Sequence, residues 1–167
     1  VRGGSGGVGL AAIQLAAQAG ATVFATALSR KCDAMAALGC HHPIAHDRVD
    51  PSEEVLRLTG GRGVDLIVDL VGGKSLIMEE VLNAPAYRSR VAVVGASSGE
   101  PTTLSFMDFV PKNIVVAGVM FGIEMHLPAA HAIIDEQMRA AAEGRVTMPI
   151  AARFPLSEAA KAHRFIE

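Results

Sequence analysis

The chain has 167 residues, of which half are hydrophobic and 19% are charged, and its formal net charge at pH 7 is −2. This length fits one domain with a hydrophobic core and is short for a two-domain enzyme. The nearly balanced charge excludes a general attraction for nucleic acid or acidic membranes. No apolar run approaches the length of a membrane span, so the composition predicts a soluble globular protein.

Two cysteines, Cys32 and Cys40, are too few for a disulfide framework and predict free thiols in a cytoplasmic protein. Cys40 begins a cluster with His41, His42 and His46 that could suggest metal ligands. The alternative is a structural cluster at the start of a strand, and the chain has no Cys-x-x-Cys pair. We therefore expect no metal site.

The predicted elements alternate between helices and strands along the chain. They are a helix at 8–19, a strand at 21–27, a helix at 30–38, a strand at 43–45, a helix from 51 to about 60, a strand at 64–71, a helix at 75–83, strands at 90–95 and 113–121, a helix at 127–143, a strand at 150–154 and a final helix from 157. This alternation predicts an α/β fold, a Rossmann-type doubly wound parallel sheet with helices on both faces.

A glycine cluster at residues 3–9 opens the first, alanine-rich helix. Gly4, Gly6 and Gly9 have the G-x-G-x-x-G spacing of a dinucleotide-binding loop. Such glycines permit a tight turn, a close approach of backbone to phosphate, and close packing of helix on strand. The alternative is an ordinary glycine-rich turn. Such a loop follows a central strand, of which only Val1 and Arg2 are present, so we expect a piece of a longer protein.

The end of the strand predicted at 21–27, which is the second strand of the fold when the strand before the glycine cluster is counted, distinguishes NAD from NADP. An NAD site needs an acidic residue there, whereas a 2′-phosphate needs a cation. Thr26 and Ala27 occupy this position, and Ser29, Arg30 and Lys31 follow. A hydroxyl and two cations favour NADP (NADPH), because guanidinium can bind phosphate through two hydrogen bonds. The alternative is that both cations belong to the solvated first turn of a helix.

Several motifs in order resemble the cofactor domain of the medium-chain dehydrogenase/reductase superfamily, in its zinc-independent quinone oxidoreductase branch. They are Gly3-Gly4-Ser5-Gly6-Gly7-Val8-Gly9, Ala37-Leu38-Gly39-Cys40, Thr59-Gly60-Gly61-Arg62-Gly63-Val64-Asp65, Asp69-Leu70-Val71-Gly72-Gly73, Val93-Val94-Gly95, Lys112-Asn113 and the tail from Ala142 to Ala160. The resemblance therefore covers essentially the whole chain.

The resemblance implies a domain organisation and an activity. Residues 1–145 would form the NAD(P)-binding domain, and 146–167 would return to an N-terminal catalytic domain. The whole protein would be an NADPH-dependent oxidoreductase that transfers hydride to a quinone, an enone or a related carbonyl compound. Its catalytic residues, and any zinc ligands, would lie in that other domain. The alternatives are a dinucleotide-binding module without turnover and a relative of the zinc-dependent alcohol dehydrogenases.

The predicted cofactor residues follow the glycine motif and the carboxyl ends of the strands, where open α/β sheets bind ligands. His46 takes the place of a tyrosine that the family often has near the 2′-phosphate, and residues 120–122 would meet the nicotinamide or belong to the core. The full set is Gly4, Ser5, Gly6, Gly7, Val8, Gly9, Thr26, Ser29, Arg30, Lys31, His46, Val71, Gly72, Gly95, Ala96, Met120, Phe121 and Gly122.

The strand predicted at 113–121 is apolar and carries little charge, which favours pairing with a second copy of the chain. Members of the family often dimerise through this edge. We therefore expect a homodimer that acts on a small-molecule substrate and does not bind nucleic acid or membranes.

Overall fold

A computed structural model describes residues 1–73, 83–101 and 104–166. Its strands are β1 (Phe24–Ala27), β2 (His42–Ala45), β3 (Val64–Asp69), β4 (Pro85–Val93) and β5 (Val115–Gly118). Its α-helices are α1 (Gly7–Gln18), α2 (Cys32–Ala36), α3 (Pro51–Leu58), α4 (Phe106–Phe109), α5 (Phe121–Glu124), α6 (Pro128–Ala142) and α7 (Ala159–Ile166). Short 3-10 helices lie at Ser29–Lys31, Val110–Lys112 and Leu156–Glu158.

All strand pairs are parallel, in one sheet with the order β1-β2 and another with the order β3-β4-β5. Val1 and Arg2 join the two sheets at their carboxyl edge. The Thr26 amide donates to the Val1 carbonyl over 3.0 Å, and the Arg2 amide donates to the Val68 carbonyl over 2.9 Å. Val1 and Arg2 thus lie where the end of a central strand is expected, between β1 and β3.

A cavity of about 960 Å³ lies below Val1 and Arg2, between the facing edges of β1 and β3. Side chains of β2 and α3 also line it, among them Ile44 and Val55. Gly3 and Ser5 of the glycine cluster also line the cavity, at the end that lies toward the carboxyl edge of the sheets. The cavity therefore runs from the gap between the sheets to their carboxyl edge.

Two hydrophobic clusters cover the opposite faces of the sheets. In one, Ile13 of α1 and Met35 of α2 pack with Ala25 and Ala27 of β1. In the other, Val55 of α3 packs with buried residues of β2, β3 and β4. Because successive side chains of a strand point to opposite faces, this division places helices on both faces. The predicted α/β fold with a doubly wound parallel sheet is confirmed.

Some predicted elements differ from those observed. β5 covers only Val115–Gly118 of the predicted strand 113–121, and the short helix α5 follows it. The strand predicted at 150–154 is wrong, because this segment belongs to neither sheet and a strand needs a neighbour for its backbone groups. The helix predicted at 75–83 lies outside the described residues, apart from its last position. In the part of the chain that the structure describes, no helix has the length and apolar character needed to cross a membrane.

Candidate dinucleotide-binding site

The phosphate loop, residues 3–9, connects Arg2 to helix α1. Gly3 adopts a φ of 72°, which begins the turn. The Gly4 amide donates to the Thr26 carbonyl over 2.9 Å, and the Gly6 amide donates to the Gly3 carbonyl over 3.2 Å. These bonds fix the loop against the end of β1. Gly6, Gly7 and Val8 remain exposed at the start of α1, where first-turn N–H groups have no partner within the helix.

Two positions of the phosphate loop leave no space for a side chain. A Cβ on Gly9 would collide with the Gly3 carbonyl oxygen and lie 2.7 Å from that of Gly4. A Cβ on Gly4 would lie 2.8 Å from the Met35 sulfur and 2.9 Å from the Ala25 Cβ. Gly9 therefore lets α1 approach the turn, and Gly4 lets the loop approach β1 and α2. These contacts provide the physical reason for the spacing that the sequence shows.

The strand register places the other predicted residues along one edge. Asp69, the last residue of β3, is paired with Val93 of β4, and Val93 is paired with Gly118 of β5. Val71, Gly95 and Met120 each lie two residues beyond these positions. The Ser98 amide donates to the Val71 carbonyl over 2.9 Å, and the segments after β3 and β4 are therefore in contact.

Glycines also determine how closely the segments after β3 and β4 approach each other. A Cβ on Gly95 would lie 2.5 Å from the Leu70 carbonyl oxygen, and a Cβ on Gly72 would lie 3.0 Å from the Gly95 carbonyl oxygen. Ala96 is exposed at this point. Gly72 and Gly95 thus let the segments after β3 and β4 pack closely against each other beside the phosphate loop.

Residues 120–122 follow β5 at the same edge. Met120 is 66% exposed and Phe121 is 44% exposed, and Gly122 is exposed as well. The interpretation of Met120 and Phe121 as plain core residues is therefore wrong. Two large apolar side chains are instead available at the carboxyl edge of the sheet.

Asp69 is a residue of this edge whose role the sequence did not indicate. Its carboxylate is fully buried and accepts a 2.6 Å hydrogen bond from Arg2 Nη1. It also accepts from the Gly72 amide over 2.9 Å and from the Val71 amide over 3.3 Å. One carboxylate thus ties the start of the phosphate loop to the exit of β3. In the sequence, Asp69 appeared only as the first residue of the motif Asp69-Leu70-Val71-Gly72-Gly73.

The β1–β2 corner consists of Ser29, Arg30 and Lys31 after β1 together with His46 and Asp47 after β2. Ala27 and Ala45 end the two strands and are paired. The His46 amide donates to the Ala27 carbonyl over 3.1 Å, and His46 also lines the upper end of the cavity. The structure therefore places His46 beside the exit of β1.

A carboxylate and two cations determine the electrostatics of the β1–β2 corner. Asp47 accepts hydrogen bonds from the Ser29 amide over 2.7 Å and from the Ser29 hydroxyl over 2.8 Å. These two bonds lower the pKa of the Asp47 carboxyl below its usual value. Arg30 and Lys31 are exposed, and neither side chain has an ion pair with another described residue. Sequence reasoning missed Asp47, because only the strand register brings it to Ser29.

The cysteine and histidine cluster has structural roles at the start of β2. The buried Cys40 thiol donates to the Val23 carbonyl over 3.7 Å, and the His41 Nδ1 accepts from the Val23 amide over 3.0 Å. The His42 ring stacks on Phe24 with 4.6 Å between ring centres. These contacts join the start of β2 to β1.

Comparison with known proteins identifies the family. The model of the zinc-binding dehydrogenase family matches residues 7–136, which include part of the phosphate loop and every strand. The chain belongs to the zinc-binding dehydrogenase family. This membership confirms the resemblance to the medium-chain dehydrogenase/reductase superfamily. Within the described ranges, no three histidine, cysteine, aspartate or glutamate side chains are grouped as metal ligands.

Similar proteins are reductases and dehydrogenases. A 2-haloacrylate reductase from Burkholderia sp is 31% identical over 170 residues, which cover 97% of this chain and 49% of the reductase. The crystal structure of a quinone oxidoreductase from Pseudomonas syringae pv. Tomato DC3000 is 26% identical with a TM-score of 0.86, covering 98% of this chain and 50% of that one. A crystal structure of an NAD-dependent alcohol dehydrogenase is 37% identical with a TM-score of 0.80, covering 98% and 45%. The chain thus spans about half the length of these relatives.

Proposed function

We propose that this chain is the NADPH-binding domain of an oxidoreductase that reduces a quinone, an enone or a related carbonyl compound. The observation that carries the proposal is the phosphate loop, whose Gly9 lies so close to the Gly3 carbonyl that no side chain fits. This loop opens α1 at the carboxyl edge of a parallel sheet, where α/β proteins bind dinucleotides. Similarity to a quinone oxidoreductase and a 2-haloacrylate reductase supports the reaction class.

Each part of the edge would hold one part of the cofactor. The N–H groups at the start of α1 would bind the pyrophosphate, since they combine free donors with the positive end of the helix dipole. Arg30 and Lys31 would bind the 2′-phosphate. Val71, Gly72, Gly95 and Ala96 would line the groove, and residues 120–122 would contact the nicotinamide. When bound, NADPH supplies a hydride, while the chain binds and orients it.

NADH is the second candidate cofactor. The observation that favours it is Asp47, since its bonds to Ser29 bring a carboxylate beside the exit of β1, where a carboxylate can accept hydrogen bonds from ribose hydroxyls. The similar alcohol dehydrogenase is NAD-dependent by name. NADPH remains the proposed cofactor, because two exposed cations adjoin Ser29 and Thr26 stands at the end of β1 where NAD sites have an acidic residue.

The proposed boundary between the NADPH-binding domain and the returning segment lies between residues 145 and 146. Gln14 of α1 binds the start of the returning segment. Its Nε2 donates to the Thr147 carbonyl and its Oε1 accepts from the Thr147 amide, both over 2.8 Å. The returning segment, which would reach the catalytic domain, therefore begins in contact with α1. Brief trypsin digestion tests the division: we expect cleavage after the exposed Arg153 before any cleavage within 1–145.

We also propose a homodimer formed through the edge at residues 113–121. Among the described strands, β5 is paired with β4 alone, and Val115 and Val119 are 54% and 42% exposed. An apolar strand edge of this kind invites pairing with another chain. Light scattering at micromolar concentration tests the proposal, and a monomer would contradict it.

We propose a cytoplasmic location, because free thiols are typical of a reducing compartment. Cys32 and Cys40 are both free, and burial raises the pKa of each, so neither is a reactive thiolate. Labelling of both thiols after denaturation, without a reductant, would support a reducing compartment. Oxidised cysteines in freshly isolated protein would contradict it.

Calorimetric titration with NADPH and NADH, paired with an activity assay, tests the proposed function. We expect NADPH to bind more tightly than NADH. We expect turnover of a quinone or an enone only from a protein that also contains the catalytic domain, because the described edge provides cofactor contacts alone. Tighter binding of NADH would contradict the choice of NADPH, and no binding of either cofactor would leave residues 3–9 as an ordinary turn.

A further inference from the structure

The Ser29–Asp47 contact joins the two ends of the β1–β2 corner. β1 and β2 are paired with a constant offset, from Phe24 with His42 to Ala27 with Ala45. Ser29 and Asp47 each lie two residues beyond the last pair. The register therefore brings the carboxylate to the Ser29 donors without any irregularity in the strands.

The Asp47 carboxylate accepts hydrogen bonds from Ser29 in the way that the anionic group of a bound ligand would. Its two oxygens accept from the amide and the hydroxyl over 2.7 and 2.8 Å. A neighbouring cation, Arg48, lies 3.8 Å from the carboxylate at Nε, and both of these side chains are partly exposed to solvent. A phosphate oxygen could use the same two donors, because charge-assisted bonds from N–H and O–H suit phosphate and carboxylate alike.

We propose that Asp47 is a specificity-determining residue that lowers the preference for NADPH over NADH, by holding the Ser29 donors that a 2′-phosphate needs. The inference rests on the proposed function, which puts the 2′-phosphate at Arg30 and Lys31. The 2′-phosphate must displace the carboxylate from Ser29 or bind beside it, and like charges at such short range repel. NADH carries no phosphate at this position, so its binding requires neither displacement of the carboxylate nor repulsion between like charges.

The direction of the effect separates this role from a direct role in ribose binding. A residue that accepts hydrogen bonds from the ribose hydroxyls would strengthen NADH binding, so its loss would weaken NADH. A residue that competes with the 2′-phosphate would weaken NADPH binding, so its loss would strengthen NADPH and leave NADH unchanged. The two cofactors must therefore be measured separately.

Asp47→Asn is the decisive variant, because asparagine keeps an oxygen that can accept from Ser29 while the negative charge is removed. We expect its NADPH affinity to rise about tenfold, because the repulsion between a carboxylate and a phosphate at an exposed site is screened by water to about that size. The affinity for NADH should stay within about twofold. The same contrast should appear between 2′,5′-ADP and 5′-AMP, which differ only in the 2′-phosphate.

Asp135→Asn is the matched control, since Asp135 is an exposed aspartate on α6 and its loss changes the net charge equally. It should leave both affinities unchanged, and the melting temperature of Asp47→Asn should remain close to that of the parent. Unchanged NADPH binding in Asp47→Asn, or weakened NADH binding, would overturn the inference while the proposed function stands. If neither cofactor binds to the parent or the variant, the proposed function fails and the inference fails with it.

Discussion

The phosphate loop and the β1–β2 corner lie at the same edge of the sheet, but different forces determine them. The loop is determined by steric packing, since a Cβ on Gly9 would meet backbone and a Cβ on Gly4 would meet the side chains of Met35 and Ala25. The corner is determined by side-chain charges, with Asp47 on Ser29 and the cations Arg30 and Lys31 beside it. A steric site tolerates no substitution, whereas a charged site can be adjusted. We therefore expect the loop to decide whether a dinucleotide binds and the corner to decide which one.

The largest effect should come from Gly9→Ala. The new Cβ would overlap the Gly3 carbonyl, so α1 would move away from the loop. We expect the affinity for NADPH and for NADH to fall by about a hundredfold or more, which corresponds to about 2.7 kcal/mol. Calorimetric titration with each cofactor measures this loss.

Gly118→Ala is the control for Gly9→Ala, because no described residue other than its chain neighbours has an atom within 4 Å of its ideal Cβ, and its φ is not positive. It should bind both cofactors like the parent. If Gly9→Ala binds them equally well, packing does not determine the loop and the contrast with the corner is lost.

Asp69→Asn should have the next largest effect, on stability. The carboxylate is completely buried, and asparagine would remove the negative charge that pairs with the largely buried Arg2. Breaking such a pair costs about 3 kcal/mol or more in the free energy of unfolding. Urea unfolding measures the change.

Asp65→Asn provides the comparison for Asp69→Asn on the same strand. Asp65 also pairs with an arginine, Arg62, but the side chains of this pair are 75% and 62% exposed. Its removal should cost less than about 1 kcal/mol. Equal losses in the two variants would mean that the Asp69 contacts do not stabilise the edge of the sheet.

Arg30→Ala should have a smaller effect, restricted to one cofactor. Loss of a charge-assisted contact with the 2′-phosphate should reduce NADPH affinity about tenfold. NADH affinity should not change, because NADH lacks that phosphate. Arg139→Ala, on the exposed face of α6, removes the same charge and should change neither affinity. A parallel loss for both cofactors in Arg30→Ala would place Arg30 outside the 2′-phosphate site.

The smallest effect should come from salt. Raising the ionic strength from about 0.01 M to about 0.1 M shortens the Debye length from about 30 Å to about 10 Å. Exposed cations at the β1–β2 corner should then attract the 2′-phosphate less, and NADPH affinity should fall a few-fold more than NADH affinity. Titration at the two ionic strengths measures the difference, and identical slopes for the two cofactors would contradict a charged corner.

The same contrast explains what the sequence could predict. The phosphate loop was predicted because its requirement for glycine is local and is visible as spacing. The residues after β3 and β4 were predicted because buried parallel strands appear as apolar runs that end in glycine. The order of helices and strands was predicted from the periodicity of apolar residues along the chain.

Other features depend on distant partners and were not predictable in this way. Asp47 meets Ser29 only because of the register between β1 and β2, and no local pattern encodes that offset. Asp69 was visible in the sequence as part of a motif, but its bonds with Arg2 and with two amides depend on the fold. The residues at 150–154 have an extended, apolar sequence, but neither described sheet offers them a neighbour.

The central claim is that one NADPH molecule contacts both the phosphate loop and the β1–β2 corner. Backbone amide chemical shifts during an NMR titration test it most directly. We expect NADPH to shift the amides of residues 6–9 and of Ser29–Lys31 together, and NADH to shift the first group with much smaller changes in the second. Equal shifts of Ser29–Lys31 with both cofactors, or NADPH shifts confined to other parts of the chain, would contradict it.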